Sequence, residues 1–243
     1  MTIRLGALII AAVAAVVPAH AEPDLRCGKF TDDVIAAPEP RSAVSAMRRF
    51  EVINAEVKSV RHRVLFLGDS LTERFDPEVW REHMAPRGVL NAGVNGDRTE
   101  HLLWRLQHGN LDGPAPTAVS VLIGTNDIGH PRPPEDAAEG IRANLLYLRQ
   151  RLPAVRILLL GLLPRAESPD AALRRGTLAV NRLIAGCGDD GTVVYADIGG
   201  VLLDADGRLS LAVSPDHLHF SAGGYARLAG KLDEVIDRLF AGR

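Results

Sequence analysis

The chain has 243 residues, 47% hydrophobic and 24% charged, and its 28 Lys plus Arg against 30 Asp plus Glu leave a formal charge of −2. That balance fits one large globular domain or two small ones and excludes collagen-like, disordered and coiled-coil chains. With no long run of one sign, it also argues against a nucleic-acid partner or an anionic membrane surface.

In chain order, a leader comes first. Arg4 gives a positive start, Leu5 to Val17 is an apolar run, and Ala19-His20-Ala21 is a small-x-small cleavage pattern. Residues 1–21 are therefore expected to be an export signal, cut before Glu22. The run is shorter than the ~20 residues a bilayer-spanning helix requires, and no later run is longer. No transmembrane segment is expected after signal removal, and the protein should be periplasmic or secreted. The only cysteines are Cys27 and Cys187. In an oxidising compartment they form a disulfide or stand as two separate thiols, and composition does not choose. Residues 22–40, with Pro23, Pro38 and Pro40, read as an irregular lead-in to a domain over 41–243.

Within that domain, short apolar runs alternate with helical periodicity. Val44, Met47, Phe50, Ile53 and Val57 form a first helical stripe. The runs Val64 to Leu67, Val89-Leu90, Ala118 to Ile123, Ile157 to Leu160 and Val193 to Tyr195 lack polar alternation, as strands buried on both faces do. Ile141, Leu145 and Leu148 mark an intervening helix, and Tyr225, Leu228, Leu232, Ile236 and Leu239 mark a C-terminal one. This pattern predicts a single three-layer α/β/α sandwich around a mainly five-stranded parallel sheet.

Open α/β sheets bind ligands at the carboxyl ends of their strands, so the residues after each strand carry the functional signal. Gly68-Asp69-Ser70-Leu71 places a serine on a tight turn at a helix N-terminus, next to unpaired backbone N–H groups. That suits a nucleophile whose product is an oxyanion, and it equally suits an ordinary helix cap. Asn91-Ala92-Gly93-Val94-Asn95-Gly96-Asp97 and Gly124-Thr125-Asn126-Asp127 each read as a turn or as a donor-bearing loop. Asp216-His217-Leu218-His219 lies before the last helix. An Asp three residues ahead of a His can hold the imidazole by Nδ1–H and free Nε2 to take a proton from a serine. A zinc site on the His-x-His pair would need further ligands that no Cys or His-Glu cluster supplies, so no metal is expected.

These blocks, in this order, resemble the GDSL or SGNH hydrolase family. Leu103-Trp104-Arg105-Leu106, Leu160 to Arg165 and Gly223-Gly224-Tyr225-Ala226 are similar to the branch formed by the catalytic subunits of intracellular platelet-activating-factor acetylhydrolases, over roughly residues 62–240. The leader, Cys27 and Arg98 depart from that branch. The resemblance implies Ser70 as nucleophile, His219 as general base and Asp216 as its orienting carboxylate. It implies an oxyanion hole of the Ser70 and Gly93 N–H groups with the Asn126 amide, and Leu218 as a wall of the acyl pocket. Asp69 is expected to make a structural hydrogen bond only. No cofactor is implied, and a homodimer is the oligomer suggested.

Other readings fit less well. The α/β-hydrolase elbow Gly-x-Ser-x-Gly fails because Thr72 stands where the second glycine belongs, and Gly93 to Gly96 does not supply a dinucleotide-binding Gly-x-Gly-x-x-Gly. A non-catalytic binding module would have no use for the Ser, Asn, Asp and His together. The expected activity is an esterase removing short acyl groups, acetyl first, from a small-molecule, lipid or glycan ester. Deacetylation of a polysaccharide or envelope glycan, or lipase or thioesterase action on longer chains, is the alternative.

Overall fold

A computed structural model describes residues 37–130, 132–188 and 191–241. The predicted export signal, Cys27 and most of the lead-in lie outside them. The strands are β1 (Val64–Gly68), β2 (Val89–Gly93), β3 (Ala118–Leu122), β4 (Arg156–Leu160) and β5 (Val193–Ala196). The helices are α1 (Val44–Ser59), the short α2 (Ser70–Glu73) and α3 (Pro77–Val79), α4 (Thr99–Gln107), the short α5 (Thr125–Ile128), α6 (Pro134–Arg151), α7 (Ala172–Ile184) and α8 (Ala222–Ala241). The five strands pair in parallel in the order β2-β1-β3-β4-β5.

Strand alternation divides the core in two. Leu65, Leu67, Val119, Val121, Ile157 and Leu159 face a layer built from Ile53 and Val57 of α1, Leu102 and Leu106 of α4, Ile141, Leu145 and Leu148 of α6, and Val180 and Ile184 of α7. Val64, Phe66, Leu122, Leu158 and Leu160 face the stripe Tyr225, Leu228, Leu232, Ile236 and Leu239 of α8. Cover on both faces is why these strands carry no polar alternation.

Details differ from the sequence reading. Val44 is 67% exposed, because α1 reaches the sheet through Ala46, Ile53 and Val57 and its first residue turns outward. β2 continues past Val89-Leu90 to Gly93, since its ladder with β1 pairs Phe66 with Asn91 and Gly68 with Gly93. Among the described residues no helix is long and apolar enough to cross a membrane.

The strand order positions the site. From β1 the chain moves to one neighbour, β2, and then returns to the other side for β3. The crevice at such a reversal, outside the carboxyl end of β1, is where doubly wound sheets bind ligands. Ser70 begins the helix that leaves β1 at this point.

Candidate active site

The turn from β1 into α2 depends on residues that allow close approach. A Cβ on Gly68 would lie 2.1 Å from Thr72 Oγ1 and 2.7 Å from the Leu122 carbonyl oxygen, so only glycine lets α2 fold back onto the sheet. Asp69 caps α2 by accepting the Leu71 N–H on Oδ1 at 2.9 Å, which is the structural bond expected of it. Ser70 is 2% exposed, and among the described residues no acceptor takes its own N–H. The first turn of a helix leaves such donors unpaired.

The catalytic-type contacts come from the far end of the chain. His219 Nε2 lies 3.0 Å from Ser70 Oγ, and Nδ1 lies 2.7 Å from Asp216 Oδ2. Asp216 Oδ1 also accepts the N–H groups of Leu218 at 3.0 Å and His219 at 2.7 Å, so one carboxylate shapes the turn and orients the ring. Partial burial pushes the Asp216 carboxyl up, but the hydrogen bonds from His219 and from the two N–H groups outweigh it and hold the pKa at about 2. An ionised Asp216 accepts a hydrogen bond from Nδ1–H, which keeps that proton on Nδ1 and leaves the Nε2 lone pair for the serine. His217 faces elsewhere, with Nδ1 2.9 Å from the Leu209 carbonyl oxygen.

Asn126 is aimed by its neighbour. One Nδ2 proton is donated to the Asp97 carbonyl oxygen at 2.8 Å, and an amide nitrogen has a second proton for a ligand. Gly93 does not stand free as the sequence reading expected. Its N–H is donated to Asn91 Oδ1 at 3.1 Å, and a Cβ there would meet Glu73 N at 2.2 Å, so this glycine serves to let β2 abut α2. Along the same loop the Val94 N–H goes to the Gly68 carbonyl oxygen, the Asn95 N–H to Glu73 Oε2 and the Asp97 N–H to the Val94 carbonyl oxygen. Among the described residues, only the Gly96 N–H of this stretch has no acceptor, and Gly96 has φ +77°.

Beneath these groups lies a charge network that the sequence reading did not assign. Arg105, 2% exposed, donates from Nε to Asp97 Oδ2 at 2.7 Å, from Nη1 to Asn110 Oδ1 at 2.7 Å and from Nη2 to the Gly68 carbonyl oxygen at 2.9 Å. It therefore joins the end of β1 to the loop that grips Asn126. Asp127 accepts the Thr99 hydroxyl at 2.7 Å. Burial raises the carboxyl pKa of Asp69 to about 7 and of Asp127 to about 6, and raises Asp97 against the pull of Arg105. The signal available beforehand was a charged residue inside an apolar stripe, since Leu102, Leu103 and Leu106 of α4 are buried around Arg105.

Leu218 is half-buried on the Asp216 to His219 turn. Cys187 is buried in the core beside the end of α7, whereas Cys27, and so the pairing, lies outside the described residues. Among the described residues Glu39, Glu100 and His101 are grouped closely enough for a cation. Glu100 is already paired with Arg98 at 2.7 Å and Arg132 at 3.3 Å, and His101 Nδ1 accepts the Arg98 N–H.

A parallel α/β/α sandwich with a Ser-His-Asp chain of contacts at its topological switch point defines a hydrolase of the three-layer class. The family model described as the GDSL-like lipase/acylhydrolase family matches residues 66–227. Platelet-activating factor acetylhydrolase IB subunit alpha2 of Rattus norvegicus is 39% identical over 178 residues, 72% of this chain and 76% of that protein. The alpha1 subunit of Homo sapiens is 36% identical over 189 residues, 77% of this chain and 80% of that protein. Among solved structures, a GDSL-like lipase from Bacteroides thetaiotaomicron has a TM-score of 0.63 at 19% identity, covering 79% of this chain and 97% of its own. Axe2, an acetylxylan esterase from Geobacillus stearothermophilus, has a TM-score of 0.56 at 20% identity, covering 72% and 94%; both likenesses concern the fold. The chain belongs to the GDSL-like lipase/acylhydrolase family and is a carboxylic ester hydrolase.

Proposed function

We propose that the protein is an exported esterase that removes short acyl groups, acetyl foremost, through an acyl-enzyme on Ser70. The observation that carries this reading is the Asp216–His219–Ser70 chain of contacts, 2.7 and 3.0 Å long. His219 Nε2 takes the Ser70 hydroxyl proton as Oγ attacks the ester carbonyl carbon. The carbonyl oxygen becomes an oxyanion, and the intermediate collapses by breaking the bond to the alcohol, which leaves with the proton from His219. Water then repeats the sequence, giving up a proton to His219, releasing the acid and returning the proton to Ser70 Oγ.

The Ser70 N–H and the Asn126 amide supply two donors for the oxyanion, each worth roughly 2.7–4 kcal/mol where preorganised. With the Gly93 N–H spent on Asn91, the Gly96 N–H is the third donor in this reading, on the loop whose Asp97 carbonyl holds Asn126. The acetyl preference is supported by the acetylhydrolase names of relatives at 36 and 39% identity, and Leu218 on the catalytic turn is assigned to the acyl pocket. Export is supported by the pattern of residues 1–21.

The test compares kcat/KM for acetyl, butyryl, octanoyl and palmitoyl esters of one leaving group, with acetylated xylan as a glycan arm, and looks for a pre-steady-state burst. The expected result is a burst and a maximum at acetyl or butyryl. A maximum at octanoyl or longer overturns the short-chain reading, and absence of a burst alongside full turnover by Ser70→Ala overturns the acyl-enzyme.

A further inference from the structure

Arg174 of α7 is 2% exposed, yet its charge meets no carboxylate among the described residues. Among the described residues its hydrogen-bond partners are backbone carbonyl oxygens: Arg165 at 2.8 Å, Ala166 at 2.6 Å and Gly207 at 3.0 Å. Burying a cation against carbonyl dipoles alone is costly, and burial accordingly pushes its pKa down. What it holds is strained. Ala166 at φ 62° and His217 at φ 55° are the non-glycine residues of positive φ among the described ones, and the Ala166 N–H donates to the His217 carbonyl oxygen at 2.8 Å. Such conformations persist only where surrounding bonds over-determine them.

The clamped turn reaches both halves of the site. Through His217 it borders the Asp216 to His219 turn. The Leu209 carbonyl that holds the His217 ring is tied back to it, because the Leu209 N–H donates to the Glu167 carbonyl oxygen at 3.0 Å. In the other direction the Arg165 guanidinium donates to the Thr125 carbonyl oxygen at 2.6 Å, on the residue before Asn126. We propose that Arg174 is a positioning residue for hydrolysis, holding the Arg165-Ala166 turn so that the histidine turn and the Asn126 helix keep their mutual geometry. This rests on the assignment of Ser70, His219 and Asn126 above. Arg174 touches neither substrate nor the reacting atoms, so its loss acts on turnover and leaves ground-state binding alone.

The experiment measures kcat, KM and thermal midpoint on p-nitrophenyl acetate for Arg174→Lys and Arg174→Ala, with Ser70→Ala and the core variant Leu148→Ala alongside. Lysine keeps the charge but, as a point donor, cannot span three carbonyls. A displacement of about 1 Å remote from the chemistry can cost up to about 100-fold in rate, so Arg174→Lys is expected to lower kcat about 10- to 100-fold with KM within about twofold. Arg174 lines a cavity of about 260 Å³ with Pro164, Leu178 and Asn181. Guanidinium ion, far below denaturing concentration, should therefore restore kcat of Arg174→Ala, whereas methylammonium should not. Unchanged kcat in Arg174→Lys, a rise in KM alone, or an equal kcat loss in Leu148→Ala at matched thermal midpoint would overturn the proposal. If Arg174→Ala does not fold, the lysine variant decides. Full activity in Ser70→Ala sinks the underlying site assignment instead, so the two failures are distinct.

Discussion

Asp69 is fully enclosed at 1% exposure, capping the helix that Ser70 begins, and burial lifts its carboxyl pKa from 3.8 to about 7, with Asp97 and Asp127 adding repulsion. A raised acid pKa means that the folded state holds its proton more tightly than the unfolded chain, so stability is lost as pH rises from about 4 through about 7. At 1.36 kcal/mol per pKa unit, the penalty is about 2 kcal/mol near pH 5 and about 4 kcal/mol near pH 8. Asp69→Asn keeps an oxygen for the Leu71 N–H and removes the ionisation. Relative to wild type, the variant should therefore gain about 2.5 kcal/mol between about pH 5 and about pH 8. For a domain of this size that widens the difference in thermal midpoint by about 5–10 °C. Thermal melts followed by circular dichroism at both pH values measure it. A difference that stays constant with pH, or a variant less stable than wild type near pH 8, refutes the claim that Asp69 is buried at the expense of its charge.

Ser70→Ala should abolish ester hydrolysis while leaving the circular dichroism spectrum and thermal midpoint intact, since triad members act as a unit worth on the order of 10⁶ in kcat; retention of more than about a hundredth of the rate would falsify the assignment. His219→Ala should cost several orders of magnitude, and His217→Asn, which tolerates the positive φ, far less; the reverse ranking would exclude His219 as base. Tyr225→Phe removes the hydroxyl that donates to the Leu71 carbonyl oxygen at 3.0 Å and leaves that oxygen buried, so denaturant unfolding should show a loss of about 1–3 kcal/mol. Protein isolated from its native compartment should begin at Glu22 with Cys27 and Cys187 bonded, a cross-link worth roughly 5 kcal/mol in the chain-entropy account. Intact mass with and without reductant checks both, and two free thiols would end the disulfide claim.

Much of the fold was legible because it follows from short-range patterns. Apolar runs too short for helices, separated by helical stripes, specify strands covered on both faces, and the predicted stripes Ile141 to Leu148 of α6 and Tyr225 to Leu239 of α8 are the residues that pack. Ser70, Asn126, Asp216 and His219 were legible as residues following predicted strands or preceding the last helix, and an Asp three residues before a His carries its geometry locally. What a linear pattern cannot contain is which hydrogen-bond donors are already spent. Gly93 ends β2 and Gly96 lies three residues on, and only the register of β2 against β1 and the reach of Asn91 show that the first amide is occupied while the second has no acceptor among the described residues. Arg165 and Arg174 read in sequence as ordinary charges, and Arg105, although set in an apolar stripe, does not reveal its partners there. Each has a carbonyl partner brought in from a distant segment, Gly68 for Arg105, Thr125 for Arg165 and Gly207 for Arg174, so tertiary packing turns surface-like charges into the frame of the site. The sequence therefore determined the layers and the candidate reacting groups, which depend on local period and spacing. The tertiary structure decided which backbone donors are spent and which cations are buried beside them, because burial and hydrogen-bond occupancy exist only once the chain has closed on itself.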